Sequence, residues 1–320
     1  MSAIKAAAKH AIRAVDATLA LITRPATESE KGRGEILIVG APRSGSTLLY
    51  QALLASRRFA YMANAVSRFP RSAVSVTRLL GLAHKPAQID YESTYGDTRH
   101  ATGPSEAGEF WDLIFPWQDH HDVARDELER SRANILRSTI GGLSDYYEAP
   151  FLGKNLWNSL RILPIADSLP NCLFVVMHRD PFQIARSILQ VFDSKFGKQP
   201  GWWGTRPRQL SHEGGDDRVR EIALQITLTY QAIDTAREQL GDDRFFDLQY
   251  EEFCQNPSAC LSGLDQFCSS RGVTYARIAK DPSPFEPSTR LELPRDSMNI
   301  LQAEFAPDLA ARIRGATPPL

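Results

Sequence analysis

No cysteine of this 320-residue chain stands in a CxxC pair or at zinc-ligand spacing from a histidine. Cys172, Cys254, Cys260 and Cys268 therefore read as buried free thiols, and a reducing, cytoplasmic compartment is expected. Net charge is nearly absent as well, since 37 basic residues against 38 acidic ones leave −1. That excludes a global electrostatic grip on nucleic acid, so any anion site has to be built locally. Residues 1–23 lack an apolar run of membrane-spanning length, because Lys5, Lys9, Arg13 and Asp16 interrupt it, and they follow no signal-peptide pattern. Ala6, Ile12, Val15, Leu19 and Ile22 do recur at helical spacing opposite basic residues. Two readings stay open, a helix packed on the domain, which carries more weight, and a helix in peripheral contact with a membrane.

The polar stretch RPATESEKGRG, 24–34, reads as a linker. The expected organisation is thus a helix and linker over 1–34 and a single domain over 35–320. Short apolar runs at 35–40, 59–63, 149–153, 172–177 and 244–248 alternate with helical patterns at 46–56, 122–147, 158–168, 181–193 and 217–240. This alternation predicts an α/β fold, a parallel sheet with helices on both faces. Residues 194–216 and 281–298 carry no period and read as irregular, with a last helix over 299–314.

A lysine is missing from the most informative stretch. In GEILIVGAPRSGSTLLYQALL, 34–54, an apolar strand runs into Gly40 and then Gly45, the layout of a phosphate-binding loop, yet Ser46-Thr47 stand where such a loop continues with Lys. Glycines there let backbone N–H groups turn toward an anion at a helix start. A nucleotide kinase uses the absent lysine on the terminal phosphates beside Mg²⁺. Arg43 is the cation that remains, and its fork suits a phosphosulfate that needs no metal.

Pro42-Arg43-Ser44-Gly45-Ser46-Thr47-Leu48-Leu49 resembles the 5′-phosphosulfate loop of the sulfotransferases that use 3′-phosphoadenosine 5′-phosphosulfate (PAPS). CLFVVMHRDPFQIARSIL, 172–189, is similar to that family's 3′-phosphate motif, with Arg179 at a strand end and Ser187 on the following helix. Residues 151–171 and 244–261 resemble bacterial and Golgi-type members, so the likeness runs from about 35 to 290. The resemblance implies a P-loop-like fold and PAPS as donor, leaving 3′-phosphoadenosine 5′-phosphate (PAP), with Pro42 to Leu48, Arg179 and Ser187 as its binding residues. It also implies a hydroxyl-bearing acceptor on a glycan, lipid or small metabolite, carbohydrate among them.

Sulfuryl transfer needs cations on the donor oxygens and a base for the acceptor proton. Arg43 and Lys154, which follows the run at 149–153, form the cationic pair. Two family positions for the base are empty here: Leu156 replaces a histidine, and Ala63 to Ser67 contain no glutamate. Glu106 and Glu109 in GPSEAGEFWDLIFPW remain, three apart and on one face if that segment is helical, beside Phe110, Trp111, Phe115 and Trp117. An alternative has Ser105 as N-cap and Glu109 serving the helix start. His84 and His100 are weaker candidates, and His120-His121 reads as a solvated loop rather than a metal site. Trp202-Trp203, between Gly201 and Gly204, reads as an acceptor lid. A P-loop small-molecule kinase and a non-catalytic PAPS-binding protein are the competing readings.

Because arginines and loop amides take the place of lysine and metal, PAP is expected to bind undiminished in excess EDTA. Calorimetry measures this directly. Loss of binding there, or preference for ATP with Mg²⁺, would point to the kinase.

Overall fold

The structure is a computed structural model that describes residues 3–22, 32–197, 199, 201–210, 217–288 and 293–305. Helix α1 (Ala3–Ile22) precedes β1 (Glu35–Gly40), α2 (Ser46–Ser56), α3 (Ala73–Leu79), α4 (Gly108–Ile114) and α5 (Arg130–Tyr147). Then follow β2 (Phe151–Lys154), α6 (Ile162–Ser168), β3 (Cys172–His178), α7 (Pro181–Lys195) and α8 (Arg218–Leu240). The chain continues through β4 (Phe245–Gln249), α9 (Tyr250–Gln255), α10 (Pro257–Ser270) and α11 (Arg295–Glu304).

The four strands form one parallel sheet in the order β2-β1-β3-β4. Their continuous apolar sequences follow from helices covering both faces, and Ile36, Ile38, Val39 and Phe174 to Met177 are fully buried. The chain leaves β1 toward one neighbour and returns past it to the other, so the crevice at the carboxyl ends of β1 and β3 is the switch point where such sheets bind ligands. Helix starts are written locally: Asp180 accepts from Phe182 N at 2.9 Å before Pro181, and Asn256 accepts from Ala259 N at 3.2 Å before Pro257.

Departures from the sequence reading have local causes. The run at 59–63 is not a strand but two isolated bridges: Ala60 pairs with Phe151, through Ala60 N to Pro150 O at 2.9 Å and Leu152 N to Ala60 O at 2.8 Å, and Ala63 pairs with Pro104. The helix expected from 122 starts at Arg130, because Asp122 is drawn away to accept from Arg208 N at 2.6 Å and Glu127 from Ala124 N at 2.7 Å. The helix expected over 158–168 is two pieces, a 3₁₀ turn from Leu156 to Leu160 capped by Asn155 and then α6. Helix α11 begins at Arg295, inside the stretch read as irregular, while 306–314 lie outside the described residues. Cys172, Cys254 and Cys268 are buried free thiols, and Cys260 is half-buried.

Helix α1 docks through Asp16, which accepts from Ser72 N at 2.9 Å and Ser72 Oγ at 2.7 Å just before α3. The expectation of a helix packed on the domain fits these contacts. Among the described residues no helix is long and apolar enough to cross a membrane. At the other side of the molecule, buried Arg57 pairs with Asp265 Oδ2 at 2.8 Å and with Asp281, tying the segment after α10 back toward the sheet.

Asp247 on β4 bridges β3 and α8, with His178 Nε2 at 2.6 Å and Arg237 NH2 at 2.6 Å. Burial pushes its carboxyl up, but the bonds and charges of His178 and Arg237 outweigh this and hold it at about 2. A folded-state value below the unfolded one stabilises at neutral pH, and that stability is lost as pH falls from about 4 through about 2. Asp247→Asn is therefore expected to cost about 2 kcal/mol at pH 7. Urea midpoints of the two proteins should converge as pH is lowered from 5 toward 3, whereas a constant gap would assign the loss to packing.

Candidate functional site

The loop between β1 and α2 is shaped by backbone that few side chains tolerate. Gly40 has φ 145°, Arg43 φ 69° and Gly45 φ 97°. A Cβ on Gly40 would press on the Met177 carbonyl, and one on Gly45 would run into the Tyr250 ring. Ser159 Oγ pins the loop entrance, receiving Gly40 N at 3.0 Å and donating to Gly40 O at 3.0 Å. The first turn of α2 then opens with Leu48 N on Gly45 O at 3.0 Å.

Two guanidiniums converge on this loop. Arg43 Nε donates to Ser187 Oγ on α7 at 2.8 Å. Buried Arg179, just past β3, donates to Arg43 O at 2.9 Å and Ser288 O at 2.7 Å, and lies 4.4 Å over the Tyr250 ring. Neither forms an ion pair among the described residues. Burial, and then the charge of Arg179, lower the Arg43 pKa. Buried Arg179 Nε and Ser44 Oγ lack partners among the described residues. Buried positive charge held only by neutral acceptors is an anion site in waiting.

Across the cavity, Lys154 at the end of β2 is nearly inaccessible and donates to Thr47 Oγ1 at 2.9 Å and to the Glu106 carboxylate. Asn155 Nδ2 holds Glu106 O at 3.1 Å. Glu106 lies outside α4, because Ala107 takes φ 52° and turns the chain before the helix starts at Gly108. Glu106 and Glu109 therefore do not share a helix face. Nor is Ser105 the N-cap: its Oγ accepts from Ala107 N at 3.0 Å, and Ala107 occupies that position. Glu109 is exposed in the first turn of α4, where a carboxylate favours the helix dipole.

The cavity bounded by these groups measures about 1050 Å³. Loop residues Pro42, Arg43, Gly45, Ser46, Thr47 and Leu48 line it, as do Arg179, Lys154, Glu106 and Glu109; Ser44, fully buried, and Ser187, held by Arg43 Nε, are not part of its lining. Trp202 and Trp203 line it from the irregular stretch, with Lys195 Nζ 5.9 Å over the Trp203 ring. Trp117 joins them, whereas Phe110, Trp111 and Phe115 belong to the core. His84 and His100 line no part of the cavity; His100 Nε2 meets Asp90 instead at 3.1 Å.

His120-His121 is no solvated loop. Both are buried, and His121 Nδ1 accepts from Arg206 N at 2.8 Å while its ring stacks on Trp157 at 4.7 Å. Burial, then the charges of Arg161, His120 and Arg206, push its pKa down to about 2, so the neutral ring carries its proton on Nε2. Sequence reasoning also passed over Tyr250, Tyr95, Trp157 and Ser288. Of these, Tyr250 alone had a local signal, an aromatic directly after the last strand.

A profile of the sulfotransferase family matches residues 35–272. An omega-hydroxy-beta-dihydromenaquinone-9 sulfotransferase of Mycobacterium bovis and its counterpart in Mycobacterium tuberculosis are each 24% identical over 258 residues, covering 72% of this chain. The chain spans 61% of the length of those curated relatives. Among solved structures, sulfotransferase STF9 from Mycobacterium avium superposes with a TM-score of 0.52 at 15% identity, over 95% of this chain and 79% of that one, a likeness of fold.

The backbone at Gly45 generates a test without ligand. Gly45→Ala is expected to cost about 2 kcal/mol or more, from the positive φ and the collision with Tyr250. In a Tyr250→Ala background the same change should cost measurably less, because only the backbone part remains. Equal costs in a double-mutant cycle of thermal melts would refute the steric account.

Proposed function

The chain belongs to the sulfotransferase family, and from that premise we propose that it moves the sulfuryl group of PAPS to a hydroxyl of an apolar, lipid-like acceptor. One observation carries the reading: Arg43 and Arg179, without carboxylate partners among the described residues, face the same cavity as the Lys154–Glu106 pair. The residues present suit the donor. Loop amides from Gly45 to Thr47 with Arg43 would hold the 5′-phosphosulfate, and Arg179 with Ser187 the 3′-phosphate, while Arg179 Nε and Ser44 Oγ offer donors not yet engaged. The donor supplies an activated sulfuryl group; the protein supplies placement, charge and a proton acceptor.

Glu106 is the base, its carboxylate about a third exposed on the cavity side and its backbone clamped by Asn155. It takes the proton of the acceptor hydroxyl, while Lys154 and Arg43 balance the negative charge that gathers on the 5′-phosphate as the sulfur–oxygen bond breaks. Glu109 serves the start of α4. Trp117, Trp157, Trp202 and Trp203 give the acceptor side aromatic walls, with Trp202-Trp203 as its lid. Those walls, and the lipid hydroxyl named for the mycobacterial relatives, favour a lipid over a carbohydrate. Free thiols support a cytoplasmic setting, with α1 available for peripheral membrane contact.

The test pairs labelled donor with acceptors of different class. With ³⁵S-PAPS, label is expected in the lipid-soluble fraction of long-chain alcohols and hydroquinones and not in sugars. Glu106→Gln should lower turnover by roughly 10²–10⁴ and leave PAP affinity within a few-fold. Arg179→Ala should weaken PAP by about tenfold or more, and adenosine 5′-phosphosulfate, which lacks the 3′-phosphate, by less. Full turnover in Glu106→Gln would remove it from the base role, and equal losses on both nucleotides would remove Arg179 from the 3′-phosphate.

A further inference from the structure

We infer that the flank formed by α3 and the turn after it is a docking surface for an anionic lipid bilayer. Helix α3 buries Ala73, Val76 and Thr77 on its inner side, yet its outer end presents Leu79 at 80% exposure and Leu80 at 37%. A single exposed leucine is ordinary, and two in succession at a helix tip are still only an apolar point. Their electrostatic surroundings give the point a partner.

The sequence has no acidic residue between Glu35 and Asp90. Within that stretch Arg68, Arg71, Arg78 and Lys85 are exposed, Arg78 directly before the leucine pair and Lys85 five residues after it. The protein as a whole carries −1, so this is segregation of charge rather than general basicity. The helix docked beside it fits the pattern: Asp16, the one acidic residue of α1, is withdrawn into bonds with Ser72 and the Arg71 backbone, leaving Lys5, Lys9 and Arg13 as the charged residues of that helix. Helix α5 packs beside α3, with its Tyr146 under the Arg78 guanidinium at 5.9 Å. An apolar tip within an exposed basic stretch that has no acidic residue matches the layering of a bilayer, with hydrocarbon below and anionic headgroups around. An acidic protein partner would satisfy the charges and leave Leu79 and Leu80 without a slot.

The surface also abuts the cavity mouth. Asn64, Ser67 and Arg68 line the cavity, and the chain passes directly from them into α3. A bilayer held there would present its headgroup layer next to the acceptor opening. The inference does not depend on the sulfuryl-transfer reading, because vesicle binding is measured without turnover.

The experiment is co-sedimentation of the full chain with vesicles of phosphatidylcholine, with and without phosphatidylglycerol, at low and high salt. Binding is expected to the anionic vesicles alone and to weaken with salt. Leu79→Ser with Leu80→Ser should reduce it by about tenfold or more, from the lost burial of two leucines. Arg78→Gln and Lys85→Gln should each reduce it by about fivefold. Melting temperature and PAP affinity should be unchanged in all of them, since these side chains are exposed and outside the cavity. Absence of wild-type binding to anionic vesicles at low salt would overturn the inference. So would undiminished binding of the double leucine variant, which would place the contact on α1.

Discussion

Arg43 and Arg179 are held close together in the interior without a carboxylate between them, and much of the site follows from that constraint. At an effective dielectric near ~20, two unit charges a few ångströms apart repel by roughly 2–4 kcal/mol. The parallel pairing of β1 with β3 leaves little choice about their separation, because the loop after Gly40 and the residue after His178 leave neighbouring strands at the same edge. What the fold supplies instead of countercharge is neutral: the Arg43 carbonyl, Ser288, the Ser187 hydroxyl and the face of Tyr250. Neutral acceptors orient a guanidinium without cancelling its field. An aspartate in the place of Ser288 would be more comfortable for the resting protein and would fill the anion site with a fixed charge.

The same constraint explains why parts of the chain were legible. A strand, a glycine-marked turn and a helix start are local, so the stretch from Glu35 to Ser56 reads directly from its own residues, as does Cys172 to Lys195 with its Asp180-Pro181 cap. Arg43 and Ser187, which the sequence reading assigns to different phosphates, come together because neighbouring parallel strands feed the two following helices. Where the outcome depended on distant partners, local reading failed. Residues 59–63 have strand-like composition but form only two isolated bridges to different partners, and Asp122 leaves a helical pattern for a backbone N–H at Arg208. His120-His121 looks polar and exposed in QDHHD until the chain near Arg206 and the ring of Trp157 cover it.

Glu106 is an instructive intermediate case. Its neighbourhood pointed to a carboxylate that does line the cavity, but on a mistaken geometry, since a helical face shared with Glu109 does not exist. Ala107 adopts a left-handed conformation for which its sequence gives no cue; glycine or asparagine would have announced it. The turn moves Glu106 off the helix and over the end of β2, beside Lys154, while Phe110, Trp111 and Phe115, expected around it, face the core.

That placement couples donor binding to the proposed chemistry. Lys154 is nearly inaccessible, and Glu106 is its ion-pair partner. Thr47, which shares the same ammonium, belongs to the anion loop. An anionic group seated in the loop draws on Lys154 through the same corner and so competes with Glu106 for its charge. A lysine drawn toward that group leaves the Glu106 carboxylate without its ion-pair partner at the cavity wall. In the proposed reaction, donor binding and the freeing of the Glu106 carboxylate are thus linked through one ammonium.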